Sequence, residues 1–390
     1  MAGAAGATAR KGSRGMWDRR QFLASAGAAV IAAPLAAQSA GAGFSAESYA
    51  HAMVIDALGG PGDFDPNRPE GAPLSARAIA DARASGLTAA NITVNQVGNG
   101  PGRFEETIKS IAWWERQLQL YPATLVKVLK SADLRAAKAS GRLGLVYGVQ
   151  DTSMLEGDLH RLDTFEGLGV RIVQPTYNRR NLMGDGCLEA ANSGLSSLGR
   201  ELIAEINRRR LLLDLSHAGA RTIEEGIAAC QGPLAITHTG CRALVDVPRN
   251  VADASLKALA DKGGVAGIYF MCFLRYLEQP HSADLIRHIE HAVNVCGEDH
   301  VGLGTDGQVS AAPVDEAFRA ALKVEIAARI KAGISAPGES PDVLNLIPEY
   351  NSPRRFALLG EDLARRGWSS AKVEKLLGGN FARLFAEVWG

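Results

Sequence analysis

Leu211-Leu-Leu-Asp-Leu-Ser-His217, followed one helix-length later by Leu234-Ala-Ile-Thr-His238, is the pair of segments whose reading decides the fold. Each is a short, nearly continuous apolar run that stops on an imidazole. Runs of this length without alternation read as strands buried on both faces. The pattern recurs at 54–55, 86–94, 144–149, 170–175, 264–270 and 301–304, and segments of helical period such as 108–120 and 197–209 separate most of the runs. About eight strands alternating with helices predict a parallel α/β sheet, and that count fits a closed (β/α)8 TIM-like barrel better than a doubly wound sheet. The strand ends argue the same way. His217, His238 and Asp306 each follow a strand, and in a barrel those ends open on one face, so residues far apart in sequence converge there.

Composition narrows the partners. The 390 residues carry 42 Lys+Arg and 42 Asp+Glu, with 46% hydrophobic content. That is ordinary globular composition. A chain that neutralises phosphates carries a basic surplus, so nucleic acid is not an expected partner. At the N-terminus, Arg10, Lys11, Arg14, Arg19 and Arg20 precede an Ala-rich apolar run from Phe22 to about Ala37, with Ala40-Gly41-Ala42 as a cleavage site. This is signal-peptide anatomy. Adjacent arginines directly before the apolar run match a twin-arginine export signal. Residues 1–42 are therefore read as a signal, 43–390 as a single barrel domain, and the location as periplasmic. The apolar run is short for a membrane span, an uncleaved anchor being the alternative, and no later stretch is long enough. Cys187, Cys230, Cys241, Cys272 and Cys296 are odd in number and form no CxxC pair, so neither a disulfide scaffold nor a zinc knuckle is expected.

Two histidines at neighbouring strand ends can present ring nitrogens to one divalent metal. Asp306, in Gly-Leu-Gly-Thr-Asp306-Gly, can ligate or accept a proton, or cap a turn. Arg249, on the loop after His238, is suited to a substrate carboxylate, or is a solvated loop arginine. The segment 311–350, a charged helix and then a Gly/Pro/Ser-rich loop, reads as a lid or an interface arm.

The run from Gly169-Val-Arg-Ile-Val-Gln-Pro-Thr-Tyr-Asn178 through Asn181, Gly184-Asp-Gly-Cys187 and Asp214-Leu-Ser-His217 continues to His238, Pro248-Arg-Asn250, 263–268 and His300-Val-Gly-Leu-Gly-Thr-Asp306. Together with Gly378-Gly-Asn380-Phe381, these motifs resemble the membrane (renal) dipeptidase family of amidohydrolase-like barrels. The resemblance implies a two-zinc site built from a His-x-Asp after the first strand, a bridging Glu and two later histidines. It also implies an Asp base and an Arg for the substrate carboxylate. His217, His238, Asp306 and Arg249 carry over. Three motifs depart: Leu58 and Gly60 stand where His and Asp would ligate, Gln150 replaces the bridging Glu, and Tyr177 replaces a His.

Leu58 and Gly60 offer no donor atom, and a neutral amide is a poor bridge between two dications. The expectation is thus one divalent ion, zinc by ligand type, on His217, His238 and Gln150. Asp306 handles the proton, Tyr177 donates to the oxyanion, and Arg249 holds the carboxylate of a dipeptide or similar small amide attacked by metal-activated water. Asp56 and Asp151 lie beside the altered positions as candidate replacements, and Cys241 is a weaker one. Two alternatives stay open: a catalytically inactive periplasmic binding barrel, and a hydrolase retargeted to a non-peptide bond. A homodimer is compatible with the sequence, which does not decide it.

Overall fold

The computed structural model describes residues 44–390; the signal segment read at 1–42 lies outside them. Eight barrel strands run β1 Ile55–Asp56, β2 Ala89–Thr93, β3 Leu143–Val149, β4 Val170–Val173, β5 Leu212–Leu213, β6 Ala235–Thr239, β7 Val265–Ile268 and β8 Val301–Leu303. Helices intervene at every crossover, for example Ala76–Ala84 after β1, Ser197–Arg209 after β4 and Ser282–Cys296 after β7. Pairing is parallel from β1 through β5 and again from β6 through β8. The expected helix at 108–120 starts earlier, at Arg103, where Glu105 and Glu106 suit the positive end of the helix. His238 lies inside β6 rather than after it. A short strand, Leu125–Lys127, escaped the sequence reading; it pairs with the first half of β3.

Two seams close the ring, and both use the same device. Between β5 and β6, Leu215 N–H donates to the Ala235 carbonyl at 2.9 Å. Asp214 there accepts from Thr237 N (3.0 Å) and Thr237 Oγ1 (2.6 Å). Between β8 and β1, Ala57 N–H donates to the Leu303 carbonyl at 2.9 Å. Asp56 there accepts from Thr305 N (2.7 Å) and Thr305 Oγ1 (2.6 Å). Buried carboxylates survive only when their oxygens are satisfied, and each of these joins two strands in doing so.

The barrel interior is a packed core, as small barrels require. Ile55, Ala89, Val146, Ile172, Leu212, Ala235 and Val265 form one inward layer with Phe381, Leu384 and Phe385 of the C-terminal helix Asn380–Trp389. That helix closes the mouth opposite the strand ends. A Cβ at Gly302 would lie 2.5 Å from the Phe381 ring, so β8 carries glycine where the plug seats. Each fully buried Phe contributes about 1.5–3 kcal/mol by burial.

After β8 the chain leaves the barrel between Ala312 and Asn351, whose side chain bonds both backbone groups of Ala312 and pins the base of the excursion. The excursion contains the helix Glu316–Lys331 and a small core of Leu322, Ile326 and Leu344. Its turn reaches back across the barrel mouth: Asn178 Nδ2 donates to the Ile334 carbonyl (2.7 Å) and Arg179 Nε to the Gly333 carbonyl (2.5 Å). Of the two readings offered for 311–350, the lid describes these contacts. Among the described residues no helix is long and apolar enough to cross a membrane.

Candidate active site

His217 follows β5 and His238 lies in β6, so the β5–β6 seam sets both. Their ring centroids are 4.8 Å apart at an interplanar angle of 60°. The hydrogen-bond network assigns both tautomers. Asn178 spends its amide N–H on the lid carbonyl of Ile334, which leaves Oδ1 to accept from His217 Nδ1 at 2.5 Å. Thr237 Oγ1 donates to Asp214, so at 2.9 Å from His238 Nδ1 it can only accept. Both Nδ1 atoms therefore carry the proton, and both Nε2 atoms hold bare lone pairs. Each Nε2 is buried without a partner among the described residues. Burial is the main reason both imidazoles titrate well below the ordinary range, with the Arg249 charge adding to it. They are neutral, the form in which imidazole ligates a metal.

The backbone is held in an uncommon conformation at two of these positions. His217 has φ 61° and Asp306 φ 56°. Non-glycine residues enter this left-handed region at a cost, and such outliers cluster at functional sites. Asp306 follows β8 and is partly exposed. Burial raises its pKa above the usual carboxylate range, against the pull of Arg249 and Arg329.

Arg249 is buried, donates to the His238 carbonyl at 3.5 Å, and lies over the Tyr269 and Phe273 rings at 5.7 and 6.0 Å. No carboxylate is paired with it among the described residues. Tyr177 stacks on His217 at 4.0 Å and 26°. Its hydroxyl accepts from Arg329 Nη1 at 3.4 Å, and Arg329 is clamped by both oxygens of the buried Glu339 carboxylate at 2.8 and 2.7 Å. Burial works against the Arg329 charge, yet Glu339 holds its pKa above the ordinary value.

The remaining expected residues separate from this group. Gln150 Nε2 donates to Thr93 Oγ1 at 2.8 Å, and no hydrogen bond joins its side chain to either imidazole. Asp151 is consumed by Gly98 N (2.6 Å), Asn95 Nδ2 (3.1 Å) and Ser153 (2.6 Å to Oγ). Asp56 is the seam staple. Cys241 holds the backbone carbonyl of His288 at 3.4 Å, and burial pushes its thiol up to about 12. None of the three aspartate and cysteine candidates stands as a substitute ligand. Among the described residues no three His, Cys, Asp or Glu side chains form a metal-holding cluster.

Sequence reasoning missed three contributors. In the sequence Asn178 stands out only as part of a motif, and Thr237 only as the residue before a histidine. Arg329 carries no signal at all, because it lies in a charged helix that looks solvated on both sides.

Comparison with known proteins agrees with this fold. A crystallised amidohydrolase from Pseudomonas aeruginosa superposes with a TM-score of 0.75 at 32% identity, covering 88% of this chain and 99% of that one. A metallo peptidase from Rhodobacter sphaeroides, liganded with a phosphinate mimic of the dipeptide L-Ala-D-Ala, shares the fold at TM-score 0.70 and 18% identity, covering 87% of this chain and 99% of that one. Dipeptidase tcpJ of Claviceps purpurea is 27% identical over 288 residues, 73% of this chain and 60% of its own length. Residues 78–318 match the membrane dipeptidase family, peptidase family M19. The chain therefore belongs to the membrane dipeptidase family of metal-dependent, dipeptidase-type hydrolases.

Proposed function

We propose that this chain hydrolyses the amide bond of a dipeptide, or a similar small carboxylate-bearing amide, at a one-metal site. The observation that carries the reading is the pair of buried, unpartnered Nε2 atoms on neutral His217 and His238. Two such nitrogens fit one divalent ion of the zinc type, and the residues at Leu58 and Gly60 fit no second one. Gln150 offers only a neutral carbonyl oxygen as a further ligand. His217 and His238 would hold the ion, and its chemistry there would be Lewis acidity.

The chain's own residues do the rest. Arg249, buried and without a carboxylate partner among the described residues, takes the substrate carboxylate in a charge-assisted bond. Asp306 accepts the proton of the attacking water and returns it to the leaving amine. Tyr177, with its oxygen already accepting from Arg329, keeps its own O–H free to donate to the carbonyl oxygen as charge develops there. The lid over His217 and Tyr177 excludes bulk water, which strengthens each of these interactions. Support for peptide bonds comes from the dipeptidase names among relatives and from the dipeptide mimic held by the Rhodobacter sphaeroides fold neighbour.

The test is metal content with turnover. Elemental analysis of the purified chain should give one divalent ion, and a dipeptide panel should be hydrolysed. His217→Ala and His238→Ala should each lose the ion and more than about 100-fold of turnover, beyond what loss of an outer hydrogen-bond partner costs. A chain that stays metal-free after reconstitution, or a His217→Ala variant with unchanged metal and turnover, overturns the reading. We also propose export through residues 1–42; Arg19→Lys with Arg20→Lys should block translocation while the signal stays uncleaved.

A further inference from the structure

Beside Asp306 lies a cavity of about 220 Å³ that includes Thr305 and Gly307, the residues flanking it in sequence. Its walls are Phe64, Phe270, Phe318 and Tyr350, with Arg355 set among them. Phe318 comes from the lid helix and packs edge-on against Phe64 at 4.9 Å, so the cavity exists only where lid and barrel meet. The volume exceeds the ~150 Å³ that accommodates a benzene ring, enough for one substrate side chain.

Arg355 gives the cavity its chemistry. It is 9% exposed. Nε donates to the Ser352 carbonyl at 2.9 Å, and Nη2 to the carbonyls of Val309 (3.0 Å) and Ser310 (3.4 Å). Nη1 has no hydrogen-bond partner among the described residues, and an ideal Cβ on Gly307 would stand 3.8 Å from it. No carboxylate lies within ion-pair distance of Arg355 among those residues; the buried Asp56 acts on its charge only through space, without a hydrogen bond to Nη1. Purely structural arginines in a core end paired or fully hydrogen-bonded, because an unmatched buried charge is costly. Here the three carbonyls fix the guanidinium while one end stays open towards the cavity.

We infer that this cavity is a side-chain subsite for a carboxylate, so that the preferred substrate carries an acidic side chain in addition to the carboxylate taken by Arg249. The aromatic walls cover the side chain's methylenes and Arg355 Nη1 takes the anion. Glu325, exposed on the lid helix, is the one acidic residue lining the cavity, and it opposes the anion at the rim. The inference rests on the peptidase reading of the site, and the experiment separates the two.

Affinity of the purified chain is measured by calorimetry for L-Glu-L-Ala and L-Ala-L-Glu, each against its Gln isostere, and turnover of the same four peptides is followed separately. At least one Glu peptide should bind about tenfold or more tightly than its Gln partner, the worth of one charge-assisted hydrogen bond. Gly307→Val, which fills the space in front of Nη1, should erase the preference, Arg355→Met likewise, and Arg355→Lys should keep part of it. Glu325→Gln should widen it. A Glu-to-Gln ratio near one in the unaltered chain for both peptide orders overturns the inference even if all four are hydrolysed. A clear preference in binding with no turnover leaves the subsite standing and sinks the peptidase reading. If Arg355→Met does not fold, the Gly307→Val and unaltered-chain ratios decide.

Discussion

At the β5–β6 seam, Asp214 clips Thr237 through backbone and hydroxyl, and the residues just above are His217 and His238. At the β8–β1 seam, Asp56 clips Thr305 in the same way, and the residues just above are Leu58 and Gly60 after β1 and Asp306 after β8. One staple thus serves a seam topped by two neutral imidazoles and a seam topped by Leu58, Gly60 and the Asp306 carboxylate. The difference teaches that the seam aspartates belong to the scaffold. Asp56 spends its carboxylate on barrel closure, which leaves it no free oxygen pair with which to replace a donor at Leu58 or Gly60. The Leu58 and Gly60 side is also sealed: Leu58 is buried, and a Cβ at Gly60 would meet Ile92 Cγ2 at 2.6 Å.

Asp306→Asn, which alters the β8–β1 seam, should cost the most activity among single changes that leave the histidines intact. An Asn cannot accept the proton, and kcat should fall by about 10²–10⁴-fold, the usual worth of a positioned base. On the proposed role, the ionised form is the active one in the unaltered chain. Because burial raises the Asp306 pKa, activity should fall with decreasing pH at a point above the ordinary carboxylate range, and a kcat–pH profile of Asp306→Asn should lack that limb.

Asn178→Ala comes next. It removes the acceptor that fixes His217 as the Nδ1–H tautomer and also unties the lid at Ile334. Metal affinity should drop about 10–100-fold, as for other outer-shell partners, read by competition with a chelator. Equal affinity in the two proteins would show that the tautomer is set by something else.

Asp56→Asn tests the scaffold role. Burial raises the Asp56 pKa from 3.8 to about 7, so the folded state binds a proton that the unfolded chain releases. That contribution is complete below about 3.8 and is lost as pH rises through about 7. Tm should therefore decline across this window in the unaltered chain, and Asp56→Asn should flatten the decline with metal content unchanged. A metal loss in this variant would contradict the scaffold assignment.

The smallest expected effect is none. Restoring the family ligands by Leu58→His, Gly60→Asp and Gln150→Glu together should leave the metal count at one, because Ile92 occupies the space a side chain at 60 needs. Adding Ile92→Ala should allow a second ion. Two ions already present in the triple variant would show that this side is not sealed.

Much of this was legible in the sequence. Apolar runs ending on His217, His238 and Asp306 predicted the barrel and its functional face, because strand burial and the common direction of parallel strands leave a direct trace in residue order. The three altered motifs were legible too, since a missing donor atom is a property of the residue itself. The tautomers were not, because they depend on Asn178 and Thr237 having already spent their donors elsewhere. Asp56 and Asp151 looked like spare ligands for the same reason: a carboxylate's availability depends on partners that only folding supplies.

The sequence by itself determined the closed parallel barrel, its family, and the absence of a donor atom at Leu58 and Gly60, since these follow from local pattern and residue chemistry. Only the tertiary structure decided that both Nε2 atoms are bare and that Ile92 fills the space beside Gly60. It alone placed Arg329 and Arg355 at the mouth, where no sequence motif had pointed to either. Those outcomes depend on which atoms approach within a few ångströms across long stretches of chain, and burial then fixes which charges and lone pairs remain unspent.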